Sequence, residues 1–187
     1  MVADLVRLLD WLEIEEAHFL GFSMGAEIAL KMATQYQDRV RSLIMIGSGW
    51  SGAKDSERYL HVADSLEKSA SFGPLLRNMT PAGTAGPTDE EIKAADEMLQ
   101  GQDIHALVAV ARAMDSIINV SRGELSDIRV PVLGIAGEND PERANLEKMM
   151  GLVPDCTMHV LPGRGHMDAV ADPQFIGIIM EFLSGRK

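Results

Sequence analysis

One cysteine, Cys156, stands in 187 residues. That excludes a disulfide framework within the chain and a structural zinc site built on cysteines. Basic residues are scarce: 17 Lys plus Arg face 28 Asp plus Glu, a formal net charge of −11. Phosphate binding needs clustered positive charge, so nucleic acid and anionic membrane are excluded as expected partners. No apolar run approaches the ~20 residues of a membrane-spanning helix. Residues 1–12 carry Asp4 and Asp10 and lack a basic stretch ahead of an apolar one. They do not read as a signal peptide, and the cytoplasm is the expected address. The remainder, 46% apolar and 24% charged, is the makeup of an ordinary globular chain.

Hydrophobic spacing organises that chain. Val2, Leu5, Val6, Leu9 and Leu12 recur at helical period, which predicts an opening amphipathic helix. Ala17–Leu20 is a short apolar segment ending at Gly21 and reads as a buried strand. Residues 25–36 return to helical period, with Gly25, Ala29 and Ala33 on one face, where small side chains allow close packing on a sheet. Val40–Ile46 reads as a second buried strand. Residues 50–126 hold no convincing strand; helical stretches there flank a Pro/Gly-rich break from Pro81 to Pro87. Thr88 and Glu91 have capping-box spacing, and Ile104, Leu107, Val108, Ala111 and Met114 mark a further helix. Strand and helix alternation resumes with Val130–Ala136, Pro141–Met150, Thr157–Leu161 and Phe175–Leu183. The expectation is an α/β fold with a mostly parallel sheet, flanking helices and a helical cap insertion. Its parts are core residues 1–49, cap residues 50–126 and core residues 127–187.

The chemistry gathers at three predicted turns. Gly21-Phe22-Ser23-Met24-Gly25 sits between a strand and a helix. A sharp strand-to-helix turn needs little bulk beside its apex, and its apex hydroxyl is held out at the carboxyl edge of the sheet. The first N–H groups of the helix then point to where an oxyanion would form. A nucleophilic serine needs a base, and the base an orienting carboxylate. His166, in Gly163-Arg164-Gly165-His166, follows the last strand; Asp140, in Gly137-Glu138-Asn139-Asp140-Pro141, follows the strand before it. Glu138 is the fallback acid. All three candidates lie past carboxyl ends of parallel strands, where α/β sheets place their sites.

In these motifs the sequence resembles the α/β-hydrolase superfamily, in its serine esterase-like branch. The runs Asp38-Arg39-Val40-Arg41-Ser42-Leu43-Ile44 and Val130-Pro131-Val132-Leu133 fit it too, as do Leu161 to His166 and Asp172-Pro173 before the final helix. The resemblance implies Ser23 as nucleophile, Asp140 as triad acid, His166 as base and the Met24 N–H as an oxyanion donor. It implies a small acyl substrate and no metal or organic cofactor. Family members begin with roughly a third more chain, including a loop that supplies a second oxyanion donor, and this chain shows no match to that part. Without it the strand Ala17–Leu20 becomes an open apolar edge, which predicts a homodimer through that edge and the helix Val2–Leu12. The alternative reading is a hydrolase-like module of weak or absent turnover that binds a ligand or partner; a third is a fragment of a longer hydrolase.

Plainer readings stand beside these. The lesser alternatives are Ser23 as a turn serine or helix cap, and Asp140 before Pro141 as the N-cap of a helix with proline at its first position, a role compatible with that of triad acid. Gly47-Ser48-Gly49-Trp50-Ser51-Gly52 spells the dinucleotide fingerprint, but no strand ending in an acid follows about 20 residues on, so it reads as a flexible entry to the cap. His18, His61, His105 and His159 read as ordinary residues of strands and helices. Met79, Met98 and Met114 read as gap-filling core of the cap.

Overall fold

A computed structural model describes residues 1–52, 56–78, 80 and 83–184. The chain divides into two compact units, Met1–Trp50 with Val120–Lys187, and Ser51–Asn119. In the first unit the elements run α1 (Val2–Trp11), β1 (Ala17–Phe22), α2 (Met24–Gln35) and β2 (Val40–Ile46). The second unit holds α3 (Ser56–Ser69), α4 (Gly73–Asn78), α5 (Asp89–Glu97) and α6 (Ile104–Ile118). The first unit then resumes with α7 (Arg122–Ser126), β3 (Val132–Gly137), α8 (Arg143–Met149), β4 (Cys156–Leu161) and α9 (Phe175–Ser184). The Trp50 indole donates to the Val120 carbonyl at 2.7 Å, joining the points where the chain leaves the first unit and returns to it.

The described strands form one parallel sheet in the order β1-β2-β3-β4. Parallel order with helical crossovers buries both faces of the middle strands. In β2, Leu43 to Ile46 are at most 1% exposed. Ile44 and Ile46 stand in register beside Leu133 and Ile135, and with Leu161 they meet Phe175, Ile179 and Phe182 of α9. Met45 pairs with Gly134 on the opposite face, where Leu146 of α8 lies over the glycine. α2 packs on β1 and β2 with Ala26, Ala29 and Ala33 buried, so alanines rather than Gly25 make its close-packed face.

β1 departs from the buried strand expected of Ala17–Leu20. It lies at the edge of the sheet, with His18 and Leu20 exposed in alternation. The His18 imidazole shares a 2.7 Å hydrogen bond with the Ser42 hydroxyl on β2. α1, which precedes β1 in the chain, exposes Leu8 by about half and Trp11 by 79%, and its C-cap residue Leu12 by about half.

In the second unit the described residues form helices joined by loops, with no strand among them. α3 packs along α6, and Val62, Ala63, Leu66, Val108 and Ala111 form its core with Leu99. Thr88 and Glu91 form the capping box that opens α5, each side chain bonding the other's backbone N–H. Of the three methionines read as core, Met114 is fully buried, Met98 is 75% exposed, and Met79 lies outside the described residues, as does Pro81. No described helix is long and apolar enough to cross a membrane.

Candidate active site

Three loops at the carboxyl ends of β1, β3 and β4 bring Ser23, Asp140 and His166 together. Ser23 is the residue between β1 and α2, with φ 52° and ψ −121°. A non-glycine residue in that region stores about 1–3 kcal/mol of strain. Two contacts hold it there. The Ser23 N–H donates to the Ile46 carbonyl at 2.8 Å, and the backbone of Gly21 runs so close to α2 that a Cβ on Gly21 would lie 2.2 Å from the Gly25 oxygen. Gly25 itself has nothing within 4 Å of its Cβ position outside its own helix, so the two glycines do different work.

Ser23 occupies the N-cap position of α2, yet its side chain makes no capping bond. Its Oγ is instead 3.1 Å from Nε2 of His166. The other ring nitrogen, Nδ1, is 3.1 and 3.2 Å from the two carboxylate oxygens of Asp140. With Asp140 ionised, Nδ1 donates and Nε2 is left to accept the Ser23 proton. The Asp140 side chain is fully buried and that of His166 is 5% exposed. A buried carboxylate needs its lone pairs filled, and a second donor, the Glu142 N–H, reaches Asp140 at 2.8 Å. This bond also corrects the expected helix start. The chain turns at residues 140–142, and α8 begins at Arg143 rather than Pro141.

The two loops are braced against each other. Gly137 lies where a Cβ would be 2.3 Å from the Arg164 carbonyl oxygen, and that carbonyl accepts the Asn139 N–H at 2.8 Å. Glu138, the fallback acid, accepts the Gly163 N–H at 2.8 Å and so serves the histidine loop from outside the Ser23–His166–Asp140 line. The Arg164 guanidinium donates to Asp172 at 2.8 Å. The Gln174 N–H and that guanidinium hold the Asp172 carboxyl below the usual carboxylate range.

Two neighbours of the imidazole escape sequence reasoning. The Phe22 ring packs against His166 with centroids 5.0 Å apart. Gly47, at φ 61°, lies where a Cβ would meet the His166 ring at 3.0–3.1 Å and Asp140 Oδ2 at 3.2 Å. Gly49 would carry a Cβ 2.5 Å from the Asn145 and Leu146 backbone. Of the first glycines of the apparent dinucleotide fingerprint, Gly47 therefore answers to close packing against the His166 ring and Gly49 to close packing against α8. A sequence signal existed, since glycine at the end of a buried strand marks a close approach.

Met24 is the first residue of α2, and its N–H has no carbonyl within the helix to bond. The other histidines stand apart: His61, His105 and His159 are exposed. Burial, then the Asp155 charge, pushes the Cys156 thiol up to about 11, which leaves it protonated at neutral pH. Among the described residues no group of three or more His, Cys, Asp or Glu is arranged to hold a metal ion.

A family model described as the alpha/beta hydrolase fold matches residues 1–173. The chain is 28% identical over 196 residues to a Pseudomonas putida protein named 2-hydroxy-6-oxononadienedioate/2-hydroxy-6-oxononatrienedioate hydrolase 2, covering 96% of this chain and 66% of that one. Among solved structures it is similar to a thermophilic esterase from Thermogutta terrifontis, with TM-score 0.75, 22% identity, and 98% and 71% of the two chains covered. A hydrolase from Pseudomonas aeruginosa PA01 gives TM-score 0.74 at 22% identity, with 97% and 70% covered. The chain spans 66% to 71% of the length of these three proteins.

Proposed function

The chain belongs to the alpha/beta hydrolase family, and from that premise we propose that it is a serine hydrolase cleaving a small carboxylic ester or related acyl compound through an acyl-enzyme. The observation that carries this reading is the unbroken line Ser23 Oγ, His166 Nε2, His166 Nδ1, Asp140, each step at 3.1–3.2 Å. Nε2 takes the Ser23 proton as Oγ attacks the carbonyl, and the oxygen that gains charge is stabilised by the Met24 N–H and the positive end of α2. His166 then protonates the leaving alcohol. In the second half it takes a proton from water, and attack by the resulting hydroxide releases the acid and restores Ser23. Asp140 fixes the tautomer throughout. The esterase among the structural neighbours and the keto-dienoate hydrolase among the relatives both act, by their names, on compounds with an electrophilic carbonyl carbon. A fluorophosphonate probe tests the assignment: wild-type chain is labelled, and Ser23→Ala is not. Labelling of the alanine variant at the wild-type rate rejects it.

The same reading includes a second copy of the chain as partner. An open strand edge presents unpaired backbone N–H and C=O groups and invites pairing. Two β1 edges related by a two-fold axis pair antiparallel into one sheet, and the exposed Leu20 with Leu8, Trp11 and Leu12 of α1 supplies apolar surface for the contact. Each Ser23 then lies near the junction, where the neighbour's backbone can offer the second oxyanion donor. Light scattering is expected to give twice the 20.3 kDa chain mass, falling to the single mass in Leu20→Lys. A monomer that turns over substrate rejects the dimer.

A further inference from the structure

Glu27 is a carboxylate that the reaction above does not use, yet it is 3% exposed and sits one turn into the nucleophile's helix. Burying a carboxyl group is unfavourable unless it is hydrogen-bonded, so its partners define what it is for. One partner is Ser48, itself 2% exposed, whose Oγ donates to Glu27 Oε1 at 3.0 Å. Ser48 lies in the segment that follows β2. On one side of it Gly47 faces the His166 ring and Asp140 Oδ2; on the other Gly49 abuts the Asn145–Leu146 backbone at the start of α8. The residue before Gly47, Ile46, accepts the Ser23 N–H, and the Gly47 N–H is tied to the Ile135 carbonyl at 2.9 Å. Residues 46–49 therefore touch the nucleophile's backbone, the base, the acid and the acid's helix within four positions.

From this arrangement we propose that the Glu27–Ser48 hydrogen bond positions the base: it fastens the Gly47 segment to the helix that carries Ser23, and so sets the distance between His166 and Ser23. Glu27 and Ser48 are positioning residues, acting on the imidazole through Gly47. Glycine at 47 gives the segment its fit, because its positive φ and missing Cβ let the backbone lie flat against the ring. It also leaves the segment without a side chain to hold it there. The hydrogen bond from the next residue, made between two buried residues, supplies that hold.

The inference rests on the Ser23–His166 reading, and one set of measurements separates the two. The full chain is reacted with a fluorophosphonate probe, and the maximal inactivation rate and the probe's half-saturation concentration are taken for wild type, Ser23→Ala, Ser48→Ala, Glu27→Ala and Glu27→Ala/Ser48→Ala, with unfolding midpoints alongside. Labelling in Ser23→Ala at the wild-type rate defeats the underlying reading, whatever the other variants do. With Ser23 established, Ser48→Ala is expected to lower the maximal rate by about tenfold to a hundredfold, the scale set by a misplacement near 1 Å, with the half-saturation concentration unchanged. The double variant is expected to match Ser48→Ala, since residues acting as one unit are not additive. A lower unfolding midpoint with the folded fraction labelled at the wild-type rate overturns the proposal, as does full additivity in the double variant. Should Glu27→Ala fail to fold, the Ser48→Ala rate still decides.

Discussion

Replacing Asp140 with asparagine is expected to lower kcat for an activated aryl acetate by about ten-thousandfold, the scale of a triad forced into the wrong tautomer. The two side chains have the same shape, so Oδ1 of the asparagine still accepts the Glu142 N–H that now bonds Asp140 at 2.8 Å, and the turn before α8 survives. The other arm changes sign. An amide NH₂ now points at His166 Nδ1, which must accept rather than donate, and the ring proton moves to Nε2. That nitrogen is 3.1 Å from Ser23 Oγ and can no longer take its proton. Circular dichroism should be unchanged while turnover is lost. Glu138→Gln is the comparison: the Gly163 N–H keeps an amide oxygen as acceptor in place of the carboxylate, so at most a loop is loosened without touching the tautomer, and the expected fall is within about tenfold. If the two variants fall equally, the assignment of Asp140 as the acid is wrong.

Much of this candidate site is legible in the sequence, for a physical reason. The elbow, the acid loop and the histidine loop are each local: a strand end, a turn and a polar residue within five or six positions. The alternation of apolar runs places all three at one edge of a parallel sheet. Chain order then suffices to propose that they meet. What escaped reading is what depends on contacts between distant segments. Gly47 and His166 are 119 positions apart, and no periodicity connects a glycine after β2 with an imidazole after β4. Phe22 was legible as a turn residue, but its packing on the same ring depends on where β4 falls in the sheet. The start of α8 was misplaced because Asp140 is claimed from two directions, by Glu142 within its own turn and by His166 from another loop. In the sequence Glu27 is one polar residue in a helical pattern. Its burial and its bond to Ser48 are tertiary facts.

The elbow glycines offer the sharpest test of how local geometry presents the Ser23 hydroxyl, because the sequence makes them look equivalent and the structure does not. Gly21→Ala is expected to be severe. Its Cβ would lie 2.2–2.5 Å from the Gly25 carbonyl and the Ala26 nitrogen, which are backbone atoms of the first turn of α2. They cannot retreat without moving Ser23, whose N–H is fixed to Ile46 on β2. Overpacking against backbone costs typically about 1–3 kcal/mol or more, and for a chain of this size each kcal/mol lowers the unfolding midpoint by roughly 2–4 °C. The midpoint should therefore fall by several degrees, and probe labelling should collapse even where the variant still folds, since relief of the clash displaces the apex hydroxyl from His166. Gly25→Ala should do neither. Its Cβ enters open space beyond its own helix, its φ is not in the left-handed region, and alanine is favoured over glycine within helices by up to about 1 kcal/mol. A midpoint at or above wild type with labelling retained is the expected outcome. If both variants lose labelling together, the strain at Ser23 depends on flexibility at both glycines, and the close approach of Gly21 to α2 is not what holds the Ser23 hydroxyl in place.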